Sequence, residues 1–471
     1  MLMKRSGNGA GVSVEEGSGQ FEPSAASARP ARDLVSIPPD PAASADPHVR
    51  TSLALLQGLL GDYPDRDFNV RFWDGSVWAS APGVRPRFTL VLNHPGALRQ
   101  MLAGGNEEAL GEAFIYGDCD MEGDLEPAFR AGDYLLSRRR SLLARLQAAR
   151  QIRMLPADGR PRGGFQAAAL GGRTHSRRRD RDAVTYHYDL SNEFFALWLD
   201  RAMVYSCAYF TDPAEDIDTA QARKLDYLCR KLRLRPGERL LDIGCGWGGL
   251  ILHAARHYGV RTTGITLSER QAELARARIH DAGLDAQCRV EVRDYRDLPP
   301  DTLYDRIVSV GMVEHVGAAR LPSFCAHAWR VLRPGGTFLL HGVSTSQKAL
   351  SRRGPFARNY VFPDTELVSI ATTLAAAEQA GFEVRDVESL REHYDLTLRS
   401  WVRQLEARWT EARAMVGETA CRVWRLFMAG AAYRFAVNDY SLYQTLLVKP
   451  GGGASRIPLT RADWYAPQAR T

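Results

Sequence analysis

The strongest chemical signal in this chain is Leu240-Leu241-Asp242-Ile243-Gly244-Cys245-Gly246-Trp247-Gly248-Gly249. An apolar run ends in an acid, and glycines follow at alternate positions. Gly244, Gly246 and Gly248 let a backbone turn tightly and approach a ligand closely. A dinucleotide could use such a loop. A pyrophosphate site, however, usually shows GxGxxG and an acid about 20 residues further on. Here the next apolar run ends in Gly264-Ile265-Thr266-Leu267-Ser268, with no acid at its tip. Asp242 instead fits the acid that helps anchor the amino-acid end of S-adenosylmethionine. Ser268-Glu269-Arg270-Gln271 reads as a helix start with a capping box. Gln271 then serves the backbone, the cofactor, or both.

The elements around this loop imply an α/β fold. ERLLDIGCG, VRTTGITLS, CRVEVRDY, YDRIVSVGM and GGTFLLHGV are apolar, β-branched runs separated by helical segments. That alternation is the pattern of a doubly wound, Rossmann-like sheet. YSLYQTLLVKP would add an antiparallel edge strand. The catalytic domain is expected over residues 184–450. Ahead of it, residues 51–150 read as a small α+β domain. Its helices are SLALLQGLL, ALRQMLA and EEALGEAFIYG, its strand is RFTLVLN, and VRFWDGSVWA is a hairpin turning at Asp74-Gly75. Residues 1–50, rich in Gly, Ser, Ala and Pro, read as a disordered extension. Residues 151–183 read as a basic flexible linker, and 451–471 as a flexible tail.

With 471 residues, the chain has room for two or three domains. Its hydrophobic fraction of 45% is ordinary for a globular protein. The seven cysteines are an odd number without a CxxC pair, which argues against a disulfide framework or a metal site. Reduced thiols in a cytoplasm are the simpler reading. The N-terminal basic residues have no apolar run behind them, so no secretory signal is expected. No apolar stretch is long enough to cross a bilayer. The net charge of +6 is too weak to argue for nucleic acid but suits an anionic lipid surface. YLLSRRRSLLARLQAARQIRML has leucines at helical spacing and a dense arginine face. It and the following linker are either solvated or drawn to anionic lipid. RNA binding lacks the interleaved aromatic residues it would need.

Further blocks make the chain recognisable. They are Tyr186-His187-Tyr188-Asp189-Leu190-Ser191-Asn192, Tyr205-Ser206-Cys207-Ala208-Tyr209-Phe210, Gly311-Met312-Val313-Glu314-His315-Val316-Gly317, Leu339-Leu340-His341 and Tyr394-Asp395-Leu396-Thr397-Leu398. With the glycine loop, in this order, they resemble the cyclopropane-fatty-acyl-phospholipid synthase family, which includes the mycolic acid cyclopropane synthases. LGEAFIYGDCDMEGDLEPAF resembles the extra domain of the members that act on phospholipids. The resemblance implies a class I S-adenosylmethionine-dependent methyltransferase fold. It puts Tyr205 and Ser206 at the cofactor, Gly244, Gly246 and Gly248 beneath it, Thr266 and Gln271 at the ribose region, and Tyr295 beside the adenine. It also implies a bicarbonate ion surrounded by Cys207, Glu314, His341 and Tyr394, with backbone near Val343. Its substrate would be a membrane phospholipid with unsaturated acyl chains. The enzyme would work from the inner face of the membrane, as a homodimer.

The chemistry suits these residue types. An alkene is a poor nucleophile, so the sulfonium methyl must be held in line with it. The carbocation that follows must be shielded from water, and aromatic faces can stabilise it without attacking it. A base then removes a proton from the new methyl group, and the ring closes. Bland alternatives stay open: Glu314 as a surface acid, His341 as a satisfied core histidine, Cys207 as packing, Tyr394 as a helix-face aromatic. STSQKALSRRGPFARNYVFPDTEL, with Arg352, Arg353 and Arg358 near Phe356 and Tyr360, reads as a lid, a membrane-facing loop, or a solvated connection. The competing functions are methylation without ring closure, a small-molecule N-methyltransferase and a non-catalytic lipid binder. An adenine-specific methyltransferase would show NPPY where GMVEHVG stands.

Overall fold

The computed structural model describes residues 38–465, apart from 65, 158, 189 and 347–353. Two sheets organise them. The first has β1 (Phe68–Arg71), β2 (Val77–Trp78), β3 (Phe88–Leu92) and β4 (Cys119–Gly123), in the order β2-β1-β3-β4. Asp74-Gly75 does turn the β1–β2 hairpin: Gly75 has φ 84°, which a side chain would disfavour. The second sheet has β5 (Arg239–Ile243), β6 (Arg261–Thr266), β7 (Cys288–Val292), β8 (Tyr304–Val310), β9 (Leu332–Thr345), β10 (Glu383–Ser389) and β11 (Tyr440–Val448). Its order is β10-β11-β9-β8-β5-β6-β7; β5 to β9 are mutually parallel, and β11 runs antiparallel to both of its neighbours, β9 and β10.

Both faces of this sheet are covered, as parallel strands require. The helices Ile217–Leu232 and Gly249–Tyr258 bury Leu225, Leu228, Leu232, Leu250 and Ala254 on one face. The helices Leu321–Val331 and Ile370–Gln379 bury Phe324, Ala328 and Ala377 on the other. The core of the first sheet continues into the second region without a break. Phe68 and Phe114 belong to the same apolar cluster as Trp198, Trp401 and Trp424. Arg422 ties the two regions together, donating to the Phe114 carbonyl (3.0 Å) and to Asp120 (2.8 Å).

Several sequence expectations are corrected. β11 is antiparallel but internal, and the true edge is β10, which the apolar pattern does not reveal. β10 reads EVRDVES; Asp386 and Glu388 on it pair with the buried Lys231. A strand held partly by ion pairs leaves no apolar run to find. Residues 177–183, expected in a flexible linker, belong to a helix, Arg177–Tyr188, that runs on into the expected catalytic domain. The tail carries a short helix, Ala462–Tyr465, whose Trp464 is buried beneath the Lys231 and Arg233 cations. The first long helix, Pro47–Leu60, starts inside the expected extension, capped by Asp46. The disorder expected for residues 1–37 lies outside the described residues, as do Arg352, Arg353 and the end of the tail. Phe356 and Tyr360 do not face outward. Both are buried, and the Tyr360 hydroxyl donates to Glu112 (2.7 Å).

Candidate active site

A cavity of about 170 Å³ lies at the carboxyl ends of β5, β6 and β8. Open α/β sheets bind ligands there because the strand order reverses and the loops diverge. Tyr205, Ser206, Asp242, Gly244, Gly246, Thr266, Gln271 and Tyr295 all line it. Gly248 does not. It caps the helix Gly249–Tyr258 with φ 80°, and a Cβ there would come within 3.2 Å of Ala275. Its glycine requirement comes from the turn and from helix packing. Gly244 and Cys245 donate to the Ile265 carbonyl at 2.9 and 3.0 Å, which locks the loop against β6. The Trp247 indole donates to Asn192 at 2.7 Å.

Gln271 makes its backbone contact and also lines the cavity. Its backbone N–H donates to the Ser268 hydroxyl (3.2 Å), the cap of the helix Glu269–Asp281. Its side chain does not reach back to Ser268; it accepts from Thr266 (2.8 Å) at the cavity wall. Asp242 is buried, and its Oδ1 has no hydrogen-bond partner. A buried acid without a partner is costly unless a ligand completes it. Burial pushes its carboxyl up to about 7, and Lys224 opposes that shift. Lys224, missed by the sequence reading, lines the cavity and donates to the Ser206 hydroxyl (2.9 Å). Burial lowers its ammonium to about 8, while Asp200, Cys207 and Asp242 pull the other way. Its signal was available: Lys224 falls on the buried stripe of its helix, four residues after Ala220 and four before Leu228.

His175 and Asp180, from the segment expected to be a linker, also line the cavity. Arg296 binds Asp180 (2.9 Å) and Asp294 together and donates to the His175 carbonyl (3.3 Å). This clamp sets Tyr295, whose ring meets Phe324 edge-on at 5.1 Å.

Glu314 follows β8, in the turn Val313–His315. Its Oε1 accepts from the Val343 N–H (2.6 Å), and its Oε2 is buried without a partner. Burial pushes this carboxyl up to about 7. Tyr394, on the helix Arg391–Ala407, is held well above its ordinary value by burial, then by Cys207 and Glu314. Cys207 donates its thiol to the Ala208 carbonyl (3.2 Å), and burial keeps it protonated. It is no nucleophile. Tyr394 and Cys207 meet at the Leu390 carbonyl, which takes the Tyr394 N–H (3.1 Å) and the Cys207 thiol (3.8 Å), and the Glu314 charge reaches Tyr394. His341 joins these residues mainly through β9, two residues before Val343. Its ring takes Gln444 Nε2 at 3.3 Å on Nδ1, and its Nε2 has no partner. Burial, then Lys224 and Lys231, keep it neutral. An amide N–H donating to Nδ1 would put the ring proton on Nε2.

Around these groups stands an aromatic wall. The neutral His187 pairs with the Val361 carbonyl (2.7 Å) and stacks on Phe362 at 4.0 Å. Phe362 stacks on Tyr205 at 6.4 Å and meets His315 at 5.7 Å. It also meets Phe427 edge-on at 5.4 Å. Phe427 belongs to a second, apolar cavity of about 210 Å³, walled also by Leu110, Met121, Phe129 and Leu426, with the partly exposed Leu136 at its rim.

A seven-stranded sheet with one antiparallel strand inserted next to its edge, with this glycine loop and partnerless acid, defines a class I S-adenosylmethionine-dependent methyltransferase. Residues 175–445 match the mycolic acid cyclopropane synthetase family. A probable fatty acid methyltransferase of Pseudomonas putida is 41% identical over 401 residues, covering 84% of this chain and 95% of that one. The cyclopropane-fatty-acyl-phospholipid synthase of Escherichia coli strain K12 is 38% identical, over 55% of this chain and 66% of that one. Among solved structures, mycolic acid cyclopropane synthase CmaA1 complexed with SAH and CTAB aligns with TM-score 0.54 and 34% identity, over 57% of this chain and 97% of that one. The chain belongs to the mycolic acid cyclopropane synthetase family. It is an S-adenosylmethionine-dependent methyltransferase of the cyclopropane fatty acid synthase type.

Purified protein is expected to bind S-adenosylmethionine and its demethylated product but not NAD. Titration calorimetry checks this, and heat from NAD with none from the sulfonium would overturn the cofactor assignment.

Proposed function

We propose that this enzyme methylates the cis double bond of unsaturated acyl chains in membrane phospholipids and closes a cyclopropane ring, with bicarbonate as the base. The observation that carries the reading is Glu314: a buried carboxylate with one oxygen fixed by Val343 and the other without a partner, its charge reaching the buried Tyr394. The apolar cavity behind Phe427 suits an acyl chain, since few polar groups line it to compete.

S-adenosylmethionine supplies the electrophilic methyl group. Asp242 anchors its amino-acid end, with Tyr205 and Ser206 beside it and Gly244 and Gly246 letting the backbone approach. Thr266 and Gln271 meet the ribose, and Tyr295 flanks the adenine. Gly248 acts indirectly, through the helix it starts. One alkene carbon would take the methyl as its bond to sulfur breaks, leaving S-adenosylhomocysteine, and the neighbouring carbon would become a cation. Tyr188 and Tyr205 line the cavity, and Phe362 packs behind Tyr205; such rings would stabilise the cation without attacking it and help exclude water. Loss of a proton from the new methyl leaves the electron pair that closes the ring. Bicarbonate, when bound, would supply the base for that proton. The two partnerless atoms, Glu314 Oε2 and His341 Nε2, suit such an ion. Glu314 orients it, and the His341 and Tyr394 protons hold it.

No helix among the described residues is long and apolar enough to cross a membrane. The enzyme therefore reaches its lipid from the membrane surface, at the inner face of the cytoplasmic membrane in this reading. A second reading ends differently: the cation loses a chain proton, giving a methylene- and then a methyl-branched acyl chain. The names of two relatives favour it, the Pseudomonas putida protein and the tuberculostearic acid methyltransferase UfaA1 of Mycobacterium tuberculosis, 35% identical over 289 residues. Gas chromatography with mass spectrometry of lipid fatty acids from expressing cells separates the two. A ring is expected. A branched product would replace the first reading by the second, and unmodified acyl chains would overturn both.

A further inference from the structure

The helix Leu142–Met154 is unusual for a soluble protein: it turns its leucines outward. Leu142, Leu143 and Leu146 are 70%, 79% and 59% exposed. No residue of this helix is fully buried; Ala148 and Ile152 alone lean on the apolar core, and Leu155 beyond its end is buried. At about 100° per residue, the three leucines lie opposite Ala148 and Ile152. Arg150, Arg153 and the exposed Met154 continue the outer face toward the carboxyl end.

The charges on this face are unbalanced. The helix sequence, LLARLQAARQIRM, has no acid. Arg139, Arg145, Arg150 and Arg153 are exposed and make no ion pair among the described residues. The mount is firm. Arg140 donates to the Leu135 and Leu59 carbonyls (3.0 and 3.1 Å), and Ser141 caps the helix through Ala144 N–H (3.2 Å). Leu136, just before the turn, is 41% exposed and also stands at the rim of the apolar cavity.

We propose that the helix Leu142–Met154, with Arg139 and Leu136, is the surface that docks on an anionic lipid bilayer. The leucines enter the boundary between headgroups and acyl chains, and the arginines meet lipid phosphates while their stems stay apolar. A second copy of the chain fits poorly, because a two-fold contact would bring the same unpaired arginines together. The rim residue Leu136 puts the mouth of the apolar cavity beside the docked face, where an acyl chain would enter. This assignment rests on the lipid-substrate reading above.

The test is co-sedimentation of the full chain with phosphatidylglycerol and with phosphatidylcholine vesicles at low salt. Wild type should prefer the anionic vesicles. The variant Leu142→Ser/Leu143→Ser/Leu146→Ser should lose about tenfold or more in vesicle affinity, since each leucine leaves an apolar environment. It should keep its S-adenosylmethionine affinity and its melting temperature. Arg139→Gln/Arg150→Gln/Arg153→Gln should bind both vesicle types equally. The single variant Leu143→Trp, which preserves the fold, should shift its emission to shorter wavelength on adding anionic vesicles. Unchanged vesicle binding by the leucine and arginine variants would overturn the proposal. So would Leu143→Trp emission that moves with protein concentration and ignores vesicles, the sign of a contact between copies. The vesicle measurement needs no turnover. A wild type that docks through this face yet methylates no acyl chain therefore overturns the substrate reading alone.

Discussion

Glu314→Gln is expected to lower turnover by roughly 10²- to 10³-fold while S-adenosylmethionine binds as before. Gln keeps the size and can still accept from the Val343 N–H, but it loses the charge and turns one acceptor into a donor. Bicarbonate-free buffer should slow the wild type, and added bicarbonate should restore it. The variant should respond less. Tyr394→Phe should show a milder form of the defect, because it removes one hydroxyl and keeps the ring. The pH profile supplies a separate mark. Burial raises the Glu314 carboxyl to about 7, so it is protonated below that pH. Turnover that needs the carboxylate should fall as pH drops through about 7, and this limb should vanish in Glu314→Gln. The same raised value destabilises the folded wild type at high pH. A carboxyl easier to protonate when folded contributes stability below its unfolded value, and that contribution is lost as pH rises through about 7. The Gln variant should therefore resist denaturant better than wild type at pH about 8, by up to roughly 3 kcal/mol. Wild-type turnover with an unchanged bicarbonate response would make the cluster structural and remove the mechanism.

Asp242→Asn is expected to weaken S-adenosylmethionine binding by about 10- to 100-fold at pH about 8, the loss of one charge-assisted hydrogen bond. Turnover at saturating cofactor should change less. Burial holds the empty-site carboxyl at about 7, and binding a cationic amino group favours the ionised form. Affinity should thus decline below pH 7, approaching about tenfold per unit, and binding should release a proton. Lys224 works on the same equilibrium, since its charge lowers the Asp242 value. Lys224→Met should therefore move the midpoint of the binding profile to higher pH. Calorimetry in buffers of different ionisation enthalpy reads both effects. An Asp242→Asn affinity within twofold of wild type at every pH would remove Asp242 from the cofactor site.

The sequence alone determined the parts whose signal is local. Apolar β-branched runs at regular spacing marked β5 to β9, because a strand buried on both faces must be apolar throughout. The loop Gly244, Gly246, Gly248 was legible because positive φ values strongly favour glycine. Asp242 stood out by its place before that loop, and Glu314 by the ordered blocks around it. Tertiary structure decided what depends on distant partners. β10 was invisible because Asp386 and Glu388 gain their place against distant partners, Lys231 for both, with Arg461 on Asp386 and Tyr227 on Glu388. The position of β11 inside the sheet follows from β10 pairing on its far side, which no run of residues encodes. His175 and Asp180 looked like linker until Arg296 drew them to the cavity wall. The leucines of Leu142–Met154 carried the spacing of a core helix, and only the packing of Ala148 and Ile152 inward turned them out to solvent. Periodicity reports which residues share a face. Which face is covered is decided by the rest of the chain, because burial is a property of contacts between segments far apart in sequence.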